Sequence, residues 1–291
     1  MKLPDFLIIG AMKSGTTTLF RDLQLNPRLF FPLDKEPECL CHDRVCTDQG
    51  RREYARMFAK AKPDQWCAEA STAYTKRPVF EGVPARAREV LGPETRLLYV
   101  VRDPIKRIVS QHRHEVAVGK LNPPEDINEA VRQVDRYIAY SRYAWQLEPW
   151  LETFGPERVR VIVLERYVRA RRQTIEAVSA FLGIPPVLEG VDEGRVFNKA
   201  DDRRVVRGPW RQVLSGPLYQ RVFRQMLSAE TRQRLQRVLL PKAAAPQSHL
   251  SPETEAWLRA QLAPETMKIV QMLNTAGLLL PVETELFTGW D

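Results

Sequence analysis

Four cysteines in 291 residues are too few to staple a chain of this length, and Cys39, Cys41, Cys46 and Cys67 do not read as a disulfide framework. Cys39-x-Cys41 with His42 nearby lacks the C-x-x-C spacing of a zinc knuckle, and no second ligand pair follows, so no metal site is expected. Long apolar runs are missing too. Nothing reaches the ~18 residues a membrane span needs. The N-terminal apolar run, Phe6 to Ile9, is too short for a secretory signal and meets Gly10 at once. A cytoplasmic protein without a membrane span is the expectation. Acidic residues are in deficit, 36 Asp and Glu against 44 Lys and Arg, for a net charge of +8 and a pI near 9.4. Such a balance reads either as a solvated basic surface or as a sign of a polyanionic ligand. No basic stripe interleaves with aromatics and no recognition motif is present, so nucleic acid is not the expected partner. There is no internal repeat and no disorder-prone composition. With 44% hydrophobic and 27% charged residues, the chain suits one large α/β domain, alone or with a helical appendage.

What is present is concentrated at the N-terminus. Phe6-Leu-Ile-Ile-Gly10-Ala-Met-Lys13-Ser14-Gly15-Thr16-Thr17 is a short apolar run, a small-residue loop with one lysine, and threonines that open a helix. This is the build of a phosphate cradle: loop and first-turn N–H groups point at an anion, and the helix dipole favours negative charge there. Gly10 and Gly15 have the spacing of a Walker loop, G-x-x-x-x-G-K-[ST], but Thr16 stands where that lysine belongs. The lysine instead sits two residues before the second glycine. The cradle therefore suits a phosphate-bearing donor other than a magnesium-bound triphosphate.

Strand-like runs recur around Trp66–Ala68, at Leu97–Val101 and at Val159–Leu164, the last two nearly continuous and β-branched, as central parallel strands are. Helical patterns lie between them, at Thr16–Leu25, Val79–Leu91, from Asp103-Pro104 onward, Ile127–Ala139, Tyr143–Phe154 and Gln173–Leu182. The alternation predicts an α/β fold, a three-layer parallel sheet with the cradle loop and flanking helices. Past Ile184 helical patterns dominate, for example Tyr219–Met226, Thr231–Leu239 and Glu253–Leu262. The expected division is residues 1–200 as the α/β core and 201–291 as a C-terminal helical extension packed on it.

The run Leu97–Val101 ends in Arg102-Asp103-Pro104 and continues to Ser110. An arginine at the carboxyl end of a buried strand offers a rigid fork for phosphate, where open α/β sheets bind ligands. Taken alone, Arg102 pairing with a local acid explains it equally well.

The two motifs together resemble the PAPS-dependent sulfotransferases, PAPS being 3′-phosphoadenosine 5′-phosphosulfate. Gly10 through Thr17 is similar to their 5′-phosphosulfate loop, and Val101 through Ser110 to their 3′-phosphate motif, in the right order and about 85 residues apart. The resemblance extends through Lys35-Glu36-Pro37, Glu69 to Tyr74, Tyr143 to Glu165 and Phe181 to Pro185, and is nearest to the heparan-type and bacterial carbohydrate or natural-product branch. It implies a donor site in which Lys13 meets the 5′-phosphate, Ser14, Gly15, Thr16 and Thr17 supply donors, and Arg102 and Ser110 hold the 3′-phosphate, with no metal. It implies Glu36 as the base for the acceptor hydroxyl. The following residues, Glu38-Cys39-Leu40-Cys41-His42, depart from the family pattern, so Glu38, His42 and Asp43 remain alternatives. Thr72 and Tyr74 are candidates to line the acceptor side, with strand-end packing as the other reading. His112 and His114 read as structural or surface histidines. A basic cluster after Phe197-Asn198-Lys199, namely Arg203, Arg204 and Arg207, stands where family members close the donor site; a solvated basic face is the alternative. The implied reaction moves a sulfuryl group from PAPS to a hydroxyl, or an amine, of a carbohydrate, lipid or natural-product acceptor. Two other readings stay open: a P-loop kinase or nucleotide triphosphatase, with Asp103 or Glu165 as the acidic magnesium ligand, and a non-catalytic polyanion binder.

Overall fold

The computed structural model describes residues 1–33, 35–118, 121, 123–192, 248–280 and 287–290. Five strands, β1 (Phe6–Gly10), β2 (Leu29–Phe30), β3 (Trp66–Ala70), β4 (Arg96–Val101) and β5 (Val159–Val163), form one sheet in the order β2-β3-β1-β4-β5. Every pairing is parallel. Phe6 lies opposite Ala68 on one side and Arg96 on the other, and Leu97 opposite Val159. Parallel strands need crossovers, so every strand's carboxyl end delivers a loop to the same edge.

The helices are α1 (Thr16–Leu23), α2 (Asp48–Arg56), α3 (Val83–Leu91), α4 (Pro104–Val118), α5 (Ile127–Gln133), α6 (Arg136–Ala139), α7 (Tyr143–Phe154), α8 (Leu164–Arg169), α9 (Arg171–Leu182) and α10 (Pro252–Thr275). Strand side chains alternate between two cores. Leu7, Ile9, Leu97, Tyr99 and Val161 face α2, α3, α7 and the second half of α10 through Tyr54, Ala87, Trp150 and Leu273. Phe6, Ile8, Leu98, Val100 and Ile162 face α1 and α9 through Leu19, Leu23, Ile175 and Val178. The fold is thus the expected three-layer α/β sheet. A third cluster joins Ile105 and Ile108 of α4, Ile127 of α5 and Tyr137 of α6 to Leu258 and Leu262 of α10.

Several boundaries differ for local reasons. The helix expected from Val79 starts at Val83, because Gly82 takes φ 71° as its N-cap with Pro84 in the first turn. The helix expected over Ile127–Ala139 is two, broken where Val134 becomes extended. Leu164 opens α8 rather than closing β5, and β3 runs on to Ala70. Glu253–Leu262 is the first part of the 24-residue α10, which continues through Pro264. Three elements had no counterpart in the sequence pattern: β2, only two residues long, α2, whose buried side is little more than Tyr54 and Ala55, and the six-residue α8. The helices expected at Tyr219–Met226 and Thr231–Leu239, and the boundary near residue 200, lie outside the described residues. All four cysteines are free thiols; burial pushes Cys39 and Cys41 up to about 12. Among the described residues no helix is long and apolar enough to cross a membrane.

Candidate active site

The cradle forms where β1 runs out. Ala11 N–H donates to Val100 O at 2.7 Å, which ties the loop to β4, and Ser14 N–H donates back to Ala11 O at 3.2 Å. Both glycines are sterically required. A Cβ on Gly10 would stand 1.9 Å from Thr75 Oγ1, whose hydroxyl donates to Ile9 O at 3.0 Å. Gly15 is the N-cap of α1 at φ 91°, and a Cβ there would stand 2.5 Å from Leu164 Cδ1. No side chain caps α1; Thr18 N–H donates to Gly15 O at 2.9 Å, and the N–H groups at the start of the helix, on Thr16 and Thr17, face the loop where an anion would bind. Lys13 takes φ 67° and is half-buried, as are Gly15 and Thr17, while Ser14 and Thr16 are buried. A glycine-lined, uncapped helix end with one lysine beside it fits a phosphosulfate group.

The second motif meets the first directly. Arg102 follows β4, and its Nη1 donates to the Lys13 carbonyl at 3.3 Å, across 89 residues of sequence. The Arg102 carbonyl accepts from the Tyr143 hydroxyl at 2.7 Å. Tyr143 is buried next to Ser14, and burial pushes its phenol up to about 12. Tyr143 thus touches both motifs, a role that nothing in its sequence surroundings marks. Ser110 is half-buried on α4, six residues after Pro104, which is about 9 Å along the axis at ~1.5 Å per residue. Asp103 Oδ1 accepts from Lys106 N–H at 2.9 Å and so caps α4. Asp103 N–H donates to Glu165 Oε1 at 3.1 Å, and Glu165 Oε2 accepts from the Trp290 indole at 3.1 Å. The two carboxylates weighed as magnesium ligands are thus engaged in holding backbone and indole N–H groups.

The third part lies beyond β3. Glu36 N–H donates to Ala70 O at 3.0 Å, which sets the Lys35-Glu36 segment at the same sheet edge. The Glu36 side chain is 34% exposed, with Oε1 on Lys35 Nζ at 2.6 Å and Oε2 accepting from Thr72 Oγ1 at 3.3 Å. Burial acts to raise its pKa, but the charge and hydrogen bond of Lys35, then the charge of Lys76 and the Thr72 hydroxyl, outweigh it and hold the carboxyl below its ordinary value. Lys76 went unremarked in the sequence, where it looks like any lysine of a polar turn; only the fold brings its charge to Glu36. Thr72 therefore joins the site through Glu36. Tyr74 is 1% exposed, with its hydroxyl on Glu69, and lies in the core rather than at the open edge. Of the alternatives to Glu36, Glu38 is half-buried with its N–H on Ser71 Oγ at 3.2 Å. His42 is exposed and edge-on to Phe80, and Asp43 is 92% exposed and paired with Arg86 at 2.8 Å. The structure brings neither to Glu36. His112 is buried, 3.1 Å from Ser248 Oγ and 2.9 Å from Pro124 O, the structural role expected. Arg203, Arg204 and Arg207 lie outside the described residues.

Among the described residues, the non-glycine positions with positive φ are Lys13, Glu36 and Glu38. Backbone strain of this kind costs about 1–3 kcal/mol per residue and gathers at functional sites. Here it gathers on two of the chain's candidate chemical groups.

Residues 3–210 match the family of the sulfotransferase domain. Mouse heparan sulfate glucosamine 3-O-sulfotransferase 6 is 27% identical over 210 residues, 68% of this chain and 56% of that protein. Human heparan sulfate glucosamine 3-O-sulfotransferase 5 is 28% identical over 196 residues, 64% and 55% of the two. The chain spans about half the length of the curated relatives it matches. Among solved structures, a sulfotransferase from Alicyclobacillus acidocaldarius has a TM-score of 0.62 at 21% identity, covering 94% of this chain and 96% of that one. A mouse sulfotransferase complexed with PAP has a TM-score of 0.52 at 14% identity, covering 94% and 86%. At these identities the structural likeness speaks to the fold.

Proposed function

The chain belongs to the sulfotransferase domain family, and from that premise we propose that it transfers the sulfuryl group of PAPS to a hydroxyl of a carbohydrate, lipid or natural-product acceptor by in-line displacement. The observation that carries the reading is the bond from Arg102 to the Lys13 carbonyl, which joins two anion-binding motifs into one site at the carboxyl edge of the sheet. The heparan sulfate relatives favour a carbohydrate among the acceptors.

Bound in the cradle, PAPS supplies a sulfuryl group on a phosphate leaving group. Lys13 places a fixed ammonium where negative charge grows on the departing phosphate oxygen, an interaction stronger in the transition state than in the ground state. Ser14, Gly15, Thr16 and Thr17 hold the 5′ end with backbone and hydroxyl donors. Arg102 and Ser110 hold the 3′-phosphate, the group that separates this donor from ATP. Glu36, kept ionised by Lys35 and Lys76, accepts the proton of the acceptor hydroxyl, and Thr72 orients its second oxygen. Arg203 and Arg204 are proposed to close over the donor.

Calorimetric titration with PAP and with ATP, each with and without magnesium, tests the donor site. Tight, metal-independent binding of PAP alone is expected; preference for magnesium-ATP would overturn the reading. A labelled-PAPS screen against sugar, lipid and aromatic alcohols then identifies the acceptor. Salt-sensitive binding to any polyanion without label transfer would instead leave a non-catalytic binder.

A further inference from the structure

Glu69 is the penultimate residue of β3 and has 0% exposure. A buried carboxylate costs several kcal/mol unless its lone pairs are matched, and the charge acting on this one is that of Glu38, of its own sign. Three hydroxyls surround it. Tyr54 donates to Oε2 in a short hydrogen bond, Tyr74 donates to Oε1, and the Ser71 hydroxyl lies beside the same carboxylate.

Two of these hydroxyls have a second task. Ser71 Oγ accepts from Glu38 N–H at 3.2 Å, and Tyr74 Oη accepts from Leu40 N–H at 3.4 Å. With Glu36 N–H on Ala70 O, every second residue of the segment 36–40 donates to the end of β3 or to the turn that follows. A hydroxyl carries one proton. Burial acts to raise the Glu69 pKa, and the Tyr54 and Tyr74 hydroxyls oppose the rise; in its ionised state the carboxylate only accepts, so it draws the Tyr74 proton to itself and leaves a Tyr74 lone pair facing the loop. The loop so held contains the two left-handed residues Glu36 and Glu38, a conformation that persists only when surroundings impose it.

We infer that Glu69 is a positioning residue for the transfer reaction: through Tyr74 it sets the direction of a hydrogen bond that helps to hold the loop of Glu36 against the end of β3. This rests on the reading of Glu36 as the base. Replacing Glu69 by glutamine keeps the shape but adds a donor; where that NH2 faces Tyr74, the phenol must turn its proton away from residue 69 and toward the Leu40 N–H it otherwise accepts from.

The test uses Glu69→Gln, Tyr74→Phe, Tyr54→Phe and Glu36→Gln in the full chain, with amide hydrogen exchange, PAP affinity and kcat as readouts. Glu69→Gln and Tyr74→Phe are expected to speed exchange at the Leu40 amide at least tenfold and to lower kcat tenfold or more. PAP affinity should stay within twofold, and the double variant should be no worse than the more severe single one. Tyr54→Phe removes a hydrogen bond to Glu69 that does not touch the loop, so exchange at that amide should stay at the wild-type rate. Should Glu69→Gln fail to fold, Tyr74→Phe carries the same test. Unchanged exchange in those variants, or equal acceleration in Tyr54→Phe, overturns the inference. If Glu36→Gln leaves kcat unchanged, the assignment of the base fails, and exchange alone decides on Glu69.

Discussion

Lys13 and Glu36 face the same edge with opposite charges and opposite tasks. In the proposed reaction the ammonium of Lys13 acts where charge appears; removal of one such group typically costs about 10²–10³ in kcat. Lys13→Ala should show a loss of that size in single-turnover sulfate transfer, whereas a near-normal rate would remove Lys13 from the leaving group. Glu36 must be ionised to take a proton, so kcat falls as pH drops through its pKa. Lys35 and Lys76 depress that pKa, which places the acid limb of the pH profile below the usual carboxylate range. Lys35→Met removes the stronger of the two influences on Glu36 and should move the limb to higher pH; an unmoved limb would mean that another group titrates. The environment that keeps Glu36 ionised also weakens it as a base, so its contribution rests on position as much as on basicity. Of these groups, Lys13 could be singled out in the sequence because its loop is local and its spacing abnormal for ATP. Lys76 could not, since it reaches Glu36 only after forty residues of intervening chain have folded.

At the scale of elements, the cradle depends on α1 pressing close to the turn between β5 and α8. Gly15 is the contact point, at φ 91° with Leu164 Cδ1 2.5 Å from where a Cβ would stand. Gly15→Ala therefore meets both a backbone and a steric penalty. It should weaken PAP binding at least tenfold by calorimetry, and Leu164→Ala in the same chain should recover part of the loss by making room. Full recovery would show that the backbone angle carries little of the cost. Elements with strong periodicity or strong punctuation were legible: β1, β4 and β5 are continuous apolar runs, and α7 has the bounds its pattern predicts. β2 is too short to show a period, and α2 is polar apart from one small buried patch. Tyr74 shows the limit of pattern reading. Its segment does lie at the carboxyl edge of the sheet, but whether a residue just past a strand end points up into a site or down into the core is decided by the turn, Thr72–Thr75, and that turn sends Tyr74 down to Glu69.

For the whole molecule, one buried ion pair ties together the helices that cover one face of the sheet. Arg171 at the start of α9 binds both oxygens of Asp22 of α1, at 2.6 Å each, and Tyr167 of α8 donates to the same carboxylate. Breaking such a pair from one side costs about 3–5 kcal/mol because the remaining charge stays buried. Arg171→Met should lower the urea midpoint accordingly, and Asp22→Asn in the same chain should restore part of it; equal midpoints for wild type and Arg171→Met would contradict the role. The sheet itself has a consequence for the order in which the protein is made. All its pairings are parallel, and the bonds that finish the donor site, Ala11 to Val100 and Arg102 to Lys13, span 89 residues each. No hairpin or isolated helix can form any part of that site early; loop closure over such distances comes late and slowly. On the proposed reading, capacity to bind PAP is thus a report on completed folding. It adds RT ln(1 + [L]/Kd) to stability, about 2.7 kcal/mol at a hundredfold excess over Kd, so a nascent chain gains protection from its donor only once it is whole.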